Sequence, residues 1–208
     1  MSVTGIEFLK KCECDLEHKR WSGGITTQLA IWPQDGDYAA RKFDWRISSA
    51  VVEDEESVFT SLKGVHRHIM VIDGGITLTH KGIRTKEMKP MADVDEFEGD
   101  WTTSSVGRCT DFNLMVKKGF AGKMFAMRTG ENTDLPQGDF VRCWTGIYCV
   151  ADHICVSVKN NGDCENFDLR RGDFLLISYT PSESGEISVV LKSDKDVPAV
   201  AAEVWQEK

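Results

Sequence analysis

Short runs of alternating or β-branched residues, separated by turn residues, recur along the whole chain, while helical periodicity is almost absent. A sequence patterned this way closes into an all-β sandwich or barrel. It predicts strands near 5–11, 25–32, 43–52, 57–60, 66–72, 75–80, 84–88, 103–107, 110–116, 122–128, 140–150, 153–159, 173–179 and 186–192, with helices only as short connectors. Gly74-Gly75 interrupts the run from Ile69 to Leu78, and Asn160-Asn161-Gly162-Asp163 follows Val158, both as hairpin connections would.

A repeat underlies this pattern. Ile69 to Leu78, a turn, and Met88-Lys89-Pro90 parallel Tyr148 to Val156, a turn, and Leu169-Arg170-Arg171-Gly172-Asp173. Two copies of one β module would divide the chain near Lys117 to Gly122. A chain of 208 residues buries roughly 70% of the surface its unfolded form exposes, enough for one large core or two fused smaller ones.

Charge narrows the partners. With 25 Lys+Arg against 33 Asp+Glu, a net −8, the chain is poorly suited to neutralising phosphates, so neither nucleic acid nor an anionic membrane is expected. No apolar run approaches the roughly 20 residues of a membrane span. Met1 to Lys11 lacks a signal-peptide pattern, and a cytoplasmic location is expected. The seven cysteines contain no C-x-x-C pair, which predicts reduced, mostly buried thiols. Cys12-x-Cys14 would be half of a metal site, and a second half with ligand spacing is not visible.

Four segments could carry chemistry. In Trp21-Ser22-Gly23-Gly24-Ile25-Thr26-Thr27 the glycine pair could be a small anion nest or a plain turn opening a strand. In Phe43-Asp44-Trp45-Arg46-Ile47-Ser48-Ser49-Ala50 alternation places Arg46, Ser48 and Ala50 on one face, and a mid-strand guanidinium needs a carboxylate or ligand oxygen. In Val65-His66-Arg67-His68-Ile69 the two histidines share a face and Arg67 takes the other. One face offers a metal site on His66 and His68, for which His18, His80, His153 and scattered carboxylates show no completing spacing; the other offers an anion pair of Arg67 with Arg46. In the fourth, Asp111, Asn113 and Met115 share a face, supplying donors and acceptors for those arginines, for a ligand, or for a structural network. Glu53 to Glu56 reads as a solvated turn, and His153 with Cys155 is too weak a pairing to be read as base and nucleophile.

Together these segments resemble the HutD/Ves family. The resemblance rests on Trp21, Gly23, Gly24 and Thr26; Phe43, Trp45, Arg46, Ser48 and Ala50; Phe59, Gly64 and Arg67; Gly74 and Gly75; Phe97, Gly99 and Asp100; and Asp111, Phe112, Asn113 and Met115, in order from about Phe8 to Gly119. His66 and His68 stand where that family usually has an acidic and an apolar residue, and Ser22 where it often has Lys-Asn before the glycines. The resemblance implies a cupin-like fold of the RmlC-like jelly-roll type, a bicupin with modules at 1–119 and 120–208. It also implies a bacterial protein associated with histidine utilisation or stress responses, binding a small metabolite without an established reaction and without the full cupin metal set. The expected pocket therefore holds a small carboxylate between Arg46 and Arg67, oriented by Ser48, Asp111 and Asn113, with Trp21, Gly23, Gly24 and Thr26 contributing to the rim. No catalytic residue, cofactor or metal is assigned, and exposed sheet edges would suit a homodimer. The alternatives are a metal-dependent cupin enzyme using His66 and His68, and a protein-binding regulator.

Overall fold

The computed structural model describes residues 5–208. The chain opens with β1 (Ile6–Lys11) and a 3₁₀ turn at Glu13–Asp15. It continues through β2 (Glu17–Trp21), β3 (Gly24–Trp32), β4 (Trp45–Val52), β5 (Glu56–Val58), β6 (Val65–Gly74), β7 (Ile76–His80), β8 (Arg84–Met88), β9 (Val94–Glu98), β10 (Thr103–Val106) and β11 (Cys109–Lys117). The remainder supplies β12 (Phe120–Met127), β13 (Asn132–Asp134), β14 (Arg142–Cys149), β15 (His153–Asn160), β16 (Asp163–Arg170), β17 (Phe174–Tyr179), the helical turn α1 (Pro181–Ser184), β18 (Ile187–Lys192) and β19 (Ala199–Gln206). None of the helices among the described residues is long and apolar enough to cross a membrane.

Two compact units result: Leu16–Lys118, and Gly119–Lys208 together with the segment ending at Asp15. The first holds a six-stranded sheet, β2-β3-β4-β11-β6-β9, and a four-stranded sheet, β5-β10-β7-β8. Ile69, Val71 and Phe97 of the larger sheet pack with Ile76, Leu78 and Met88 of the smaller one to form its core. The second unit pairs a five-stranded sheet, β1-β17-β14-β19-β12, with β13-β18-β15-β16, around a core that includes Ile147, Val156, Ile177 and Ala201. The orders β4-β11-β6-β9 and β12-β19-β14-β17 match strand for strand, as do the two four-stranded sheets. The repeat visible in the sequence is thus a repeat of topology.

Two sequence expectations need correction. β1 does not stay with the first 119 residues; it pairs with β17, Ile6 opposite Tyr179 through Lys11 opposite Phe174. Its alternation explains why, since Ile6 and Phe8 point into the second core while Leu9 faces out. Nor is Gly74-Gly75 a hairpin turn: β6 pairs with β11 and β9, β7 with β10 and β8, so the chain there passes from one sheet to the other. The Asn161-Gly162 connection does close a hairpin, Asn160 opposite Asp163, with positive φ at both turn residues (49° and 91°) as a tight primed turn demands.

Gly24 is fixed by close approach. A Cβ there would sit 1.9 Å from the Val51 carbonyl oxygen, which belongs to the paired strand β4. Gly24→Ala is therefore expected to cost about 3 kcal/mol or more, the upper range of overpacking penalties, read as a lower urea midpoint with an unchanged m-value.

Candidate functional site

The register of the six-stranded sheet decides which side chains meet. Ser48 lies opposite Gln28 and Asn113, and Asn113 opposite Ile69. Met115 sits between Arg46 and Arg67, and Arg67 lies opposite Phe97. Thr26, Ala50, Asp111 and Val71 form a third row. Residues two apart share a face, so Arg46, Ser48, Arg67, Asp111, Asn113, Gln28 and Thr26 all belong to the face that packs on the smaller sheet. These rows set polar side chains among the apolar ones of Ile69, Val71, Phe97 and Met115.

Arg46 donates through Nε to Gln28 Oε1 (3.0 Å) and through Nη1 to Ser48 Oγ (3.0 Å), and its guanidinium lies 4.3 Å from the centre of the Tyr38 ring. Tyr38 is held there by a structured 33–44 loop, in which Asp37 Oδ1 accepts from the Ala39 and Ala40 amides. Arg67 is stacked 5.1 Å from both Phe59 and Phe97. Its Nη1 reaches the Thr60 carbonyl only at 3.5 Å, and its buried Nε has no hydrogen-bond partner. No carboxylate forms an ion pair with either guanidinium among the described residues. Arg46 and Arg67 retain 6% and 8% of their surface, and Asn113 8%, so all three are buried.

Electrostatics follow from this burial. Desolvation pushes the Arg67 guanidinium down to about 10, with Arg46 pushing the same way, and it lowers Arg46 too. Both stay charged at neutral pH. The Asp111 carboxyl, donated to by Asn113 Nδ2, is pushed up to about 7 because burial outweighs that hydrogen bond and the field of Arg67. A carboxyl whose own ionisation is disfavoured is thus the one that lies in the field of Arg67. An unpaired buried charge is costly, and a bound anion would relieve that cost.

Other expected residues fall elsewhere. Trp21 and Gly24 are paired at the end of the β2–β3 hairpin, and the Gly23 carbonyl accepts from the Glu53 amide. At three rows along the strand Gly24 is about 20 Å from Arg46. Trp21, Gly23 and Gly24 are thus not brought to the arginines, while Thr26 reaches the Asp111 row. Gln28, Tyr38, Phe59 and Phe97 are the neighbours of the arginines that the sequence reading did not assign to the site. Phe59 and Phe97 carried a signal as motif positions; Tyr38 lies in a loop with none. His80 is engaged in the core, Nδ1 with Thr103 Oγ1 (2.9 Å) and Nε2 with Asp95 Oδ2 (2.7 Å). A concavity of about 470 Å³ on the second unit is bordered by Asp134, Lys159, Asp163 and Glu186, all exposed, with no buried charge to define a ligand.

His66 and His68 occupy the opposite face from Arg67, beside Glu98 and Glu96 of β9. His66 Nδ1 lies 2.9 Å from Glu98 Oε1, and burial holds the His68 imidazole well below the usual histidine range.

Two sheets packed face to face in each unit, with a row of polar side chains set into the first unit's interior, define an all-β protein of the cupin fold, and solved structures agree. A conserved protein of unknown function from Pseudomonas aeruginosa PAO1 superimposes with a TM-score of 0.75 at 22% identity, covering 97% of this chain and 100% of that one. HutD from Pseudomonas fluorescens SBW25, solved in a formate condition, gives 0.71 at 23% identity with the same coverage. An oxalate decarboxylase formate complex from Lactobacillus farciminis gives 0.60 at 10% identity, over 96% of this chain and 86% of that one. No curated protein sequence matches. The HutD family model matches residues 13–197, and the chain belongs to the HutD family.

Proposed function

We propose that this HutD-family protein binds a small carboxylate metabolite inside its first barrel without transforming it, and that the bound state tunes histidine utilisation or a related metabolic response in the cytoplasm. The observation that carries this reading is the pair of buried guanidiniums on one inner row, Arg46 and Arg67, without a carboxylate ion-pair partner among the described residues. A carboxylate would accept from both in charge-assisted hydrogen bonds. Ser48 and Asn113 lie on the adjoining row to orient the remainder of the ligand.

Binding fits the geometry better than a metal-dependent reaction in the barrel, because His66 and His68 lie on the other face of the sheet. The inner Cys109 thiol is pushed up to about 12, chiefly by burial, so it is not a nucleophile at neutral pH.

A thermal-shift titration against formate, urocanate, N-formylglutamate, histidine and glutamate tests the reading. At 100 times its dissociation constant a true ligand stabilises by about 2.7 kcal/mol, a rise of roughly 5–10 °C for a chain this size. A saturable shift with one of these compounds is expected. Flat curves for all five would overturn the assignment in favour of a protein-binding regulator.

A further inference from the structure

On the outer face of the same sheet, β6 and its edge neighbour β9 set His66 opposite Glu98 and His68 opposite Glu96. Ligand atoms of His66, His68 and Glu96 all lie within 4.8 Å of one another. The Glu96 carboxylate lies 3.9 Å from His66 Nε2 and 3.6 Å from His68 Nδ1, too far for hydrogen bonds on either side. Ligand atoms around a tetrahedral zinc ion, with bonds of 2.0–2.1 Å, are about 3.3 Å apart, so side-chain rotations that close this trio by up to about 1.5 Å would accommodate one.

Two further observations point to a ligand. The His68 ring is only 2% exposed, and neither of its nitrogens has a hydrogen-bond partner. Glu98 also takes the Nδ1 side of His66 at 2.9 Å, which leaves the Nε2 lone pair facing Glu96, the arrangement in which a second carboxylate orients a metal-ligating imidazole. His66 is partly exposed and Glu96 exposed, so an ion can arrive from solvent.

We propose that His66, His68 and Glu96 bind a divalent transition-metal ion, with Glu98 as the residue that positions His66. Three protein ligands would leave a coordination position open to water or a small exogenous ligand. The site shares no residue with the carboxylate pocket, so each can fail without the other.

Titration of the full chain with Co²⁺, and with Zn²⁺ against a chromophoric chelator, tests it. One saturable equivalent is expected, with a Co²⁺ spectrum free of thiolate charge-transfer bands. His66→Ala and Glu96→Gln should each weaken affinity by about tenfold or more, and Glu98→Gln by about tenfold. Both Glu96 and Glu98 are exposed, so unchanged metal-free melting temperatures would separate lost ligation from lost folding, and Arg67→Met should leave metal affinity unchanged. No saturable binding, thiolate bands, or full affinity in both His66→Ala and Glu96→Gln would overturn the proposal.

Discussion

Replacing Arg67 with methionine is expected to weaken carboxylate binding by about 30-fold or more, the equivalent of about 2 kcal/mol for a lost charge-assisted contact in a buried site. Methionine is the informative substitution because Arg67 fills space between Phe59 and Phe97 as well as carrying charge. An unbranched apolar chain keeps most of that packing, whereas alanine would open a cavity and confuse lost binding with lost stability. The ligand-free protein should lose little stability, since relieving a desolvated cation whose Nε has no partner offsets the loss of its contacts with Phe59, Phe97 and the Thr60 carbonyl. Arg46→Met should reduce affinity in the same direction and also cost stability, because it strands Gln28 Oε1 and Ser48 Oγ. Calorimetry with formate and urocanate, paired with urea unfolding of each variant, reads both quantities. Wild-type affinity in Arg67→Met would sink the pocket assignment.

The strands the sequence shows are those rich in apolar and β-branched residues, whether alternating like β7 or buried almost throughout like β4, β6 and β11. It hides two other kinds. β2, β9 and β16 are polar edge strands outside every predicted strand, and only pairing with β6 shows that Val94-Asp95-Glu96-Phe97-Glu98 buries Asp95 and Phe97. β19 is hidden by its composition: Ala199 to Val204 is buried along its whole length, but three of its residues are alanine, which carries little β preference. The site was legible in the same way. Period-two geometry alone put Arg46 with Ser48 and Asp111 with Asn113, and opposed Arg67 to its flanking histidines. That the two arginines share an interior depends on how β4, β11 and β6 pair, which local spacing does not encode. The third potential metal ligand, Glu96, was out of view because it lies on one of the hidden edge strands.

Asp111 should make this protein less stable as pH rises from about 4 to 7. Its carboxyl is pushed from the ordinary 3.8 up to about 7 by burial, so the folded chain holds a proton that the unfolded chain releases. The stabilisation from that proton is fully present below pH 4 and is lost by the time pH passes 7, amounting to roughly 4 kcal/mol over the window. Asp111→Asn is nearly isosteric, and its side-chain carbonyl can accept the Asn113 hydrogen bond that the carboxyl now accepts. The variant should therefore lack this part of the pH dependence. Glu203 is also shifted up by burial and contributes with the same sign, so the measurement is the difference between wild type and variant in urea midpoint at pH 5 and at pH 8, in which Glu203 cancels. The same proton links to function. An anion between Arg46 and Arg67 is better accommodated with Asp111 neutral, so wild-type carboxylate affinity should fall by up to about tenfold per pH unit above 7 and stay level in Asp111→Asn. Identical pH profiles for the two proteins, in stability and in binding, would mean that Asp111 is already ionised in the barrel and that the arginine row has its counter-ion without a ligand.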